Sequence, residues 1–318
     1  MPDVSDLGDV PSVVGSGAVV LVLPLLAAFV ASAVVLDAVI GARADGTPRG
    51  RALTRPLDEA ARLLRQRRLA PLSADTLLWR IGGGGLVVVA LLMLAVVPLG
   101  PWVISDLDVG VVWFNTMDVA VWALVWLTGW GANSAHSLVG GYRFLALALA
   151  YELPLMFALV APAIAASSLN LGEVAAAQHS LWFVVWMPVA FAVYCLGVLA
   201  FSVWGPFAPP AGADIAGGVE SELSGVDRLL VQGGRYALLV AGSAFAVPMF
   251  LGGGAGPLLP DWTWVLVKTA GLLAVLVWFR RRLPAARPDL LMEVGWVVLL
   301  PALLVQDLVV AVVVAWRA

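Results

Sequence analysis

Apolar stretches of about 20 residues recur along this sequence, and they constrain its fold more than any other feature. A stretch of that length crosses the roughly 30 Å hydrocarbon core of a bilayer as an α-helix. Of the 318 residues, 62% are hydrophobic and 12% are charged, whereas about a quarter of an average soluble domain is charged. We therefore predict an all-α membrane protein, a single domain over residues 1–318 with about eight transmembrane helices and long cytoplasmic loops. The predicted helices cover residues 15–40, 82–103, 110–130, 144–168, 181–204, 234–252, 262–279 and 294–316.

Basic residues are confined to alternate connections between these helices. Nine arginines lie in residues 43–80, and others lie near 228–235 and 280–287, whereas the stretches 101–108, 170–180 and 252–262 contain none. By the positive-inside rule, the basic loop 42–80 and the loop 205–233 face the cytoplasm and both termini lie outside. The first 17 residues carry no Lys or Arg, so we expect the first apolar run to be a retained helix rather than a signal peptide.

One carboxylate, Glu152, interrupts the apolar run "ALALAYELPLMFALVAPAIAASSL", residues 146–169. A charged side chain near the bilayer centre costs roughly 2.5–3.5 kcal/mol on insertion scales. Arg143 is two and a half helical turns away and so points to another face. Desolvation favours the neutral form of a carboxyl group, so we expect Glu152 to bind and release a proton. The alternative is a permanently protonated side chain that links helices by a hydrogen bond.

Asp118, Asp307 and Lys268 also lie inside predicted helices. Lys268 is the only lysine of the chain, and we expect it to neutralise one of the buried carboxylates. Ionisable groups on several membrane helices are typical of proton relays and ion carriers. Asp307 has an alternative, since it is near enough to a helix end to reach the interface.

The two cytoplasmic loops contain candidate contact surfaces. Residues 56–72, "PLDEAARLLRQRRLAPL", have apolar residues at helical spacing among arginines, which is typical of a helix lying on anionic lipid or of a docking surface for a peripheral subunit. In the loop 205–233, Asp214, Glu220 and Glu222 precede Ser224. This loop is either simply solvated or a site of charge-paired docking or proton uptake.

Metal-ligating residues are scarce. Cys195 is the only cysteine, and His136 and His179 are far apart. We therefore expect no zinc site and no iron–sulfur cluster held by this chain.

Several stretches, in this order, resemble the H subunit of bacterial NADH–quinone oxidoreductase (respiratory complex I), the counterpart of mitochondrial subunit 1. The resemblance extends from about residue 56 to the C-terminus. The stretches are "GWGANSAHSLVGGYR" (129–143), "AYELPL" (150–155), "PFAPP" (206–210), "GGVESELSG" (217–225) and "LVKTAGLLAVLVWFRRRLPAARPDLLMEVGWVVLLP" (266–301).

The resemblance implies a subunit in the bacterial inner membrane that anchors the peripheral arm, forms the quinone passage and couples electron transfer to proton translocation. It implies quinone as the substrate of the complex, NADH, FMN and iron–sulfur clusters only in partner subunits, lipid contacts, and no nucleic-acid partner. The predicted proton-path or quinone-passage residues are Glu152, Arg143, Asp214, Glu220, Glu222, Lys268 and Asp118. The predicted docking residues are Arg62, Arg65, Arg67, Arg68, Arg280, Arg287 and Asp289.

The sequence departs from the family where charged residues are expected around the quinone passage. Phe201 and Trp204 stand where the family has Glu and Arg, and "LDAVIGARADG" (36–46) replaces a basic motif that begins with Glu-Arg. Three interpretations stay open: a divergent complex I-like subunit, the equivalent subunit of a membrane-bound hydrogenase-like complex, and a structural anchor without quinone binding. A secondary transporter would show inverted repeats, which the sequence lacks.

Overall fold

The computed structural model describes residues 11–14, 19–44, 46, 48–212 and 216–317. Within these residues, eight helices are long and apolar enough to cross a membrane, which confirms the predicted all-α bundle. The helices are α1 Val19–Ala44, α2 Arg49–Arg65, α3 Thr76–Leu94, α4 Gly110–Gly131, α5 Ala135–Ala166, α6 Leu171–Ala176, α7 Phe183–Trp186, α8 Pro188–Phe201, α9 Gly225–Phe250, α10 Asp261–Arg282, α11 Pro288–Glu293 and α12 Leu300–Arg317. The strands β1 Ser12–Val13 and β2 Trp102–Val103 pair in parallel, Gly205–Phe207 and Pro209–Ala211 are 3₁₀ turns, and Val294–Leu299 is π-helical.

Helix α9 lies at the centre of the bundle. It is the most buried of the spanning helices, followed by α8 and α5, whereas α1 and the α11–α12 helix are mostly exposed on the outside. Aromatic rings fill the centre: the rings of Phe114 on α4 and Phe245 on α9 stack with centroids 3.7 Å apart. Beside them, the Tyr194 hydroxyl of α8 donates a hydrogen bond of 2.8 Å to the Gly242 carbonyl oxygen of α9. The exposed apolar faces of α1 and α12 suit contact with lipid.

Several spanning helices begin before the predicted residues, because their first turns are polar. Helix α3 begins at Thr76 rather than 82, and the Asp75 carboxylate caps it by accepting hydrogen bonds of 3.0 and 3.1 Å from the amides of Leu77 and Leu78. Likewise α5 begins at Ala135 rather than 144, and α9 at Gly225 rather than 234. Hydropathy misses such turns when polar groups find partners inside the protein. Residues 15–18 of the first predicted helix lie outside the described residues.

Two predicted spans are not single regular α-helices. The run 181–204 divides into α7 and α8 at Met187, since Pro188 has no amide hydrogen with which to continue the preceding helix. The last helix begins at Pro288 rather than 294 and passes through the π-helical segment Val294–Leu299. There Gly295 lies against α5, and a Cβ at this position would be only 2.5 Å from the Ala150 carbonyl oxygen.

The four consecutive glycines of α3, residues 82–85, differ in what surrounds them. A Cβ on Gly82 would lie 2.7 Å from the Leu124 carbonyl oxygen and 2.8 Å from the Thr128 nitrogen of α4, whereas a Cβ on Gly84 would have no neighbour within 4 Å. Small residues let membrane helices approach closely and pack. Gly82 therefore sets the contact between α3 and α4, and Gly84 does not.

We predict that Gly82→Ala destabilises the chain by about 1–3 kcal/mol through overpacking. Gly84→Ala, which adds the same methyl group to open space, should leave stability unchanged or raise it by up to about 1 kcal/mol. Denaturant or thermal unfolding of the two purified variants in mild detergent measures the difference. Equal stabilities would contradict the assigned role of Gly82.

Candidate functional site

A cluster of polar side chains lies between α4 and α5, and we call it the acid cluster. It comprises Asn115, Asp118 and Trp122 of α4 with Tyr151 and Glu152 of α5. The three α4 residues are spaced i, i+3 and i+7, so they share one helix face. The two helices can approach because a Cβ on Gly129 of α4 would be only 2.8 Å from the Ser137 carbonyl oxygen of α5. The packing of α4 on α5 thus brings two carboxyl groups together inside the bundle.

Few hydrogen bonds satisfy the acid cluster. Asp118 is fully buried and Glu152 is 9% exposed. The Asn115 amide donates to Glu152 Oε1 at 3.2 Å, while Glu152 Oε2, both Asp118 oxygens and the Tyr151 hydroxyl have no hydrogen-bond partner within the described part of the chain. The two carboxyl groups are close enough to interact. Because two neighbouring carboxylates in a low dielectric cannot both stay ionised at small cost, this pair is suited to holding a proton.

A second group of charged side chains surrounds Glu220, and we call it the Glu220 network. Glu220 is 4% exposed. Its carboxylate accepts hydrogen bonds from Arg235 Nη1 at 2.5 Å and from Gln232 Nε2 at 3.1 Å, and Arg228 Nε lies 3.8 Å away. A second Arg235 nitrogen donates to the Val203 carbonyl oxygen. These contacts attach the loop that follows α8 to α9.

Trp204 lies between two guanidinium groups. The guanidinium carbons of Arg235 on α9 and Arg280 on α10 are each 3.7 Å from the centroid of its ring. A tryptophan face attracts a cation, and burial strengthens this attraction. Trp204 thereby connects α9 and α10.

Asp37 of α1 is the counter-ion at the far side of this stack, and we call its contacts the Asp37 cluster. Its carboxylate accepts hydrogen bonds of 2.8 and 2.7 Å from Arg281, lies 3.3 Å from Arg280 Nε, and accepts one of 3.3 Å from the Tyr236 hydroxyl. Arg280 Nη1 in turn donates to the Tyr236 hydroxyl at 3.0 Å. The Asp37 cluster links α1, α9 and α10 at the end of the bundle that carries the basic loops.

The other predicted proton-path residues lie apart from the acid cluster. Arg143 donates to the Gly217 carbonyl oxygen at 3.2 Å, and Glu222 accepts from the Ser134 hydroxyl at 2.7 Å. Both contacts attach the loop 205–233 to α5. Lys268 does not face a carboxylate in the described residues: its ammonium donates to the carbonyl oxygens of Leu251, Gly253 and Ala255 at 2.7–2.9 Å. The ammonium therefore holds the connection after α9. Asp214 lies outside the described residues.

Most predicted docking residues are on the surface of α2 and its C-terminal extension. Arg62, Arg65, Arg67 and Arg68 are exposed, and Arg68 Nε lies 3.7 Å from Asp227. Arg62 hydrogen-bonds Glu59 and lowers the pKa of that carboxyl group.

The remaining predicted docking residues separate into two locations. Arg287 and Asp289 form an exposed pair 3.7 Å apart. Arg280 lies inside the bundle, because Asp37, Tyr236 and Trp204 hold its guanidinium there.

Sequence reasoning missed Asp37, Arg235, Asn115 and Tyr151 as site residues. Asp37 had a usable signal, since it is the only charged residue in the first 24 residues of α1. Asn115 was also accessible, because it precedes Asp118 by one helical turn. The role of Arg235 depends on Glu220 and Trp204, which only the fold brings into contact.

We predict that Asp37→Asn destabilises the chain by about 3–5 kcal/mol, because removing one partner of a buried ion pair leaves the other charges uncompensated. Unfolding in mild detergent measures the effect. The matched control is Glu59→Gln, which breaks the exposed pair with Arg62 and should change stability little. If both variants unfolded alike, the Asp37 cluster would not be what joins α1 to α9 and α10.

Comparisons with known proteins agree on one family. Residues 17–311 match the family model described as NADH dehydrogenase. The chain is 35% identical over 269 residues to an NADH-quinone oxidoreductase H subunit of Geobacter sulfurreducens, covering 81% of this chain and 82% of that protein. It is 34% identical to an NADH-quinone oxidoreductase H subunit of Geobacter metallireducens over the same shares. It is also 34% identical over 278 residues to the NADH-quinone oxidoreductase H subunit of Syntrophotalea carbinolica, covering 83% of this chain and 84% of that protein.

Proposed function

The chain belongs to the NADH dehydrogenase family, which includes the H subunits of NADH-quinone oxidoreductase, and we propose that it is a membrane subunit of a complex I-like assembly. This assembly couples quinone reduction to proton translocation. The NADH, FMN and iron–sulfur chemistry then belongs to partner subunits, and quinone is the substrate of the assembly. The eight spanning helices agree with a multi-pass subunit. By the positive-inside rule the basic loops face the cytoplasm. There they would dock the peripheral arm.

The contact between Asp118 and Glu152 carries the proton-transfer part of this proposal. The two carboxyl groups interact inside the bundle, and among the described residues only the Asn115 amide donates a hydrogen bond to the pair, at Glu152 Oε1. Neighbouring carboxyl groups that share a proton can exchange it with little rearrangement, since each already lies within reach of the other. The acid cluster thus acts as a relay, in which Glu152 accepts and passes the proton and Asp118 is its partner.

The Glu220 network and the Asp37 cluster supply the link from the acid cluster to the basic loops. The ring of Tyr151 packs edge-on against Phe207, with centroids 6.3 Å apart, and Phe207 lies in the 3₁₀ turn that follows Trp204. A change in charge near Arg235 or Arg280 can therefore reach the acid cluster through Trp204, the backbone hydrogen bond from the Phe207 amide to the Trp204 carbonyl oxygen, and the rings of Phe207 and Tyr151. We propose that quinone reduction in the assembly acts on the cluster by this route.

A second candidate function, a structural anchor without quinone binding, is favoured by the Trp204 stack. Trp204 occupies a position where the family has Arg, and it takes up the faces of Arg235 and Arg280. Both guanidinium groups also have carboxylate partners. On this alternative, the interior charges hold the helices together and the acid cluster is inert.

We predict that Glu152→Gln lowers proton translocation per electron by at least about tenfold, because the amide keeps the shape and the hydrogen bond with Asn115 but cannot exchange a proton, and positioned proton-transfer groups commonly act on that scale or above. Proton uptake by vesicles that contain the assembled complex measures this. The control is Glu173→Gln at an exposed carboxyl, which should pump normally. Normal pumping by a fully assembled Glu152→Gln complex would leave only the anchor.

We predict that reversing Arg65 and Arg67 to Glu reduces co-purification of peripheral subunits by about tenfold or more, since placing like charges across an interface costs several kcal/mol. Arg68 is left unchanged because it contacts Asp227 of α9. The matched control replaces Arg65 and Arg67 with Lys and should retain the partners. Intact co-purification of the reversed variant would mean that α2 does not dock the peripheral arm.

A further inference from the structure

An apolar cavity of about 400 Å³ lies among α1, α3, α9 and α10, at the end of the bundle opposite the basic loops, and we call it the outer cavity. Its walls include Leu25 and Phe29 of α1, Ala244 of α9 and Leu266 of α10. Of its described lining residues, Thr269 alone carries a hydroxyl and none carries a charge. The volume lies within the roughly 300–1,000 Å³ range of small-molecule sites. The outer cavity is therefore a site for a ligand that offers hydrocarbon and few polar atoms.

The outer cavity is closed toward the basic loops. Asp37 lies eight residues beyond Phe29, or about 12 Å along α1. At that level its ion pairs with Arg280 and Arg281 and its hydrogen bond with Tyr236 join α1, α9 and α10. A molecule coming from the basic-loop end would have to break these contacts.

The other sides of the outer cavity determine what can enter. The loop that contains β2 contributes Trp102 and Val103 to its lining. Beside the cavity, α1 presents its most exposed apolar surface, where Val20 is 72% and Leu21 is 68% exposed. In a bilayer this surface contacts acyl chains. Among the described residues, the exposed face of α1 is therefore the side of the cavity that adjoins the hydrocarbon of the leaflet opposite the basic loops.

We propose that the outer cavity binds one acyl chain of a membrane phospholipid from that leaflet. An apolar volume without partner atoms forfeits dispersion contacts along its whole lining, and a flexible hydrocarbon chain restores them. Trp102 is half exposed at the mouth, and indole rings favour the level of lipid headgroups. A quinone ring carried inward would find few polar partners, since the described lining offers only the Thr269 hydroxyl and the Trp102 indole N–H. The occupant is therefore a phospholipid rather than a quinone.

The bound chain has a structural task. Helix α1 is among the least buried of the spanning helices, and its inner half is fixed by Asp37. The acyl chain fills the gap between its outer half and α9 and α10. The phospholipid thus completes the packing of α1 where protein side chains leave space.

The test uses the assembled complex, purified through a tag on this chain, washed in delipidating detergent, and extracted for mass spectrometry of the retained lipids. Wild type should retain about one phospholipid per chain in excess of a variant that fills the cavity. Ala244→Leu should lower this retention by about tenfold or more, because excluding even two methylene groups from an apolar site has that effect on affinity. Ala270→Leu adds the same atoms to an exposed face of α10 and should retain the lipid as wild type does.

Equal phospholipid retention by wild type and Ala244→Leu would overturn the proposal. It would also be overturned if wild type retained a quinone in place of the phospholipid and Ala244→Leu lost that quinone. Should Ala244→Leu fail to assemble, Leu266→Trp fills the cavity from its rim and must give the same loss. A cryo-EM map of the wild-type complex in nanodiscs should show elongated density in the cavity that is absent from the filled variant. Since electron transfer and proton pumping are not read out, the result is separate from that of the Glu152 experiment.

Discussion

A charge taken out of water needs an opposite charge or several hydrogen bonds. This requirement determines how most of the charged side chains inside the protein are arranged. Asp37 meets it with two guanidinium groups and a tyrosine hydroxyl, and Glu220 with Arg235, Arg228 and Gln232. Lys268 meets it with three backbone carbonyl oxygens. Each of these groups fastens one helix or loop to another, so that the buried charges determine which elements are neighbours.

The acid cluster does not meet this requirement, and neither does Asp307 of α12, whose two carboxylate oxygens also lack a hydrogen-bond partner within the described residues. The acid cluster differs from Asp307 because it holds two carboxyl groups that interact, and this gives it a chemical role in our proposal. Asp118 and Glu152 interact, and among the described residues only the Asn115 amide donates a hydrogen bond to the pair, at Glu152. A fully matched carboxylate such as Asp37 keeps its charge because guanidinium groups stay beside it. A carboxyl pair without a cation is stabilised instead by binding a proton. Matched charges hold the structure together, and the unmatched pair is where a proton can move.

The sequence predicted the number of spanning helices well, because about 20 consecutive apolar residues leave few alternatives. It located Glu152 and Asp118 for the same reason, since a lone charge in such a run is conspicuous. It could not predict that the two would meet, because the rotation of α4 against α5 depends on close packing at Gly129. The sequence also could not predict the partners of Lys268, because every residue type has a backbone carbonyl oxygen. The starts of α3 and α9 were missed because their polar first turns are satisfied only in the folded chain.

Trp204 lets the protein hold Arg235 and Arg280 without a further buried ion. A third arginine in its place would add a positive charge between Arg235 and Arg280, and the chain would need another buried carboxylate to match it. The indole ring needs no counter-ion, and it attracts both guanidinium groups. Because Phe207 follows in the next turn and contacts Tyr151, the same substitution leaves the route to the acid cluster aromatic rather than charged. The chain thus keeps the connection between α9, α10 and α1 with fewer buried charges. In our proposal, a signal to Glu152 then passes by a change in packing rather than along a row of ions.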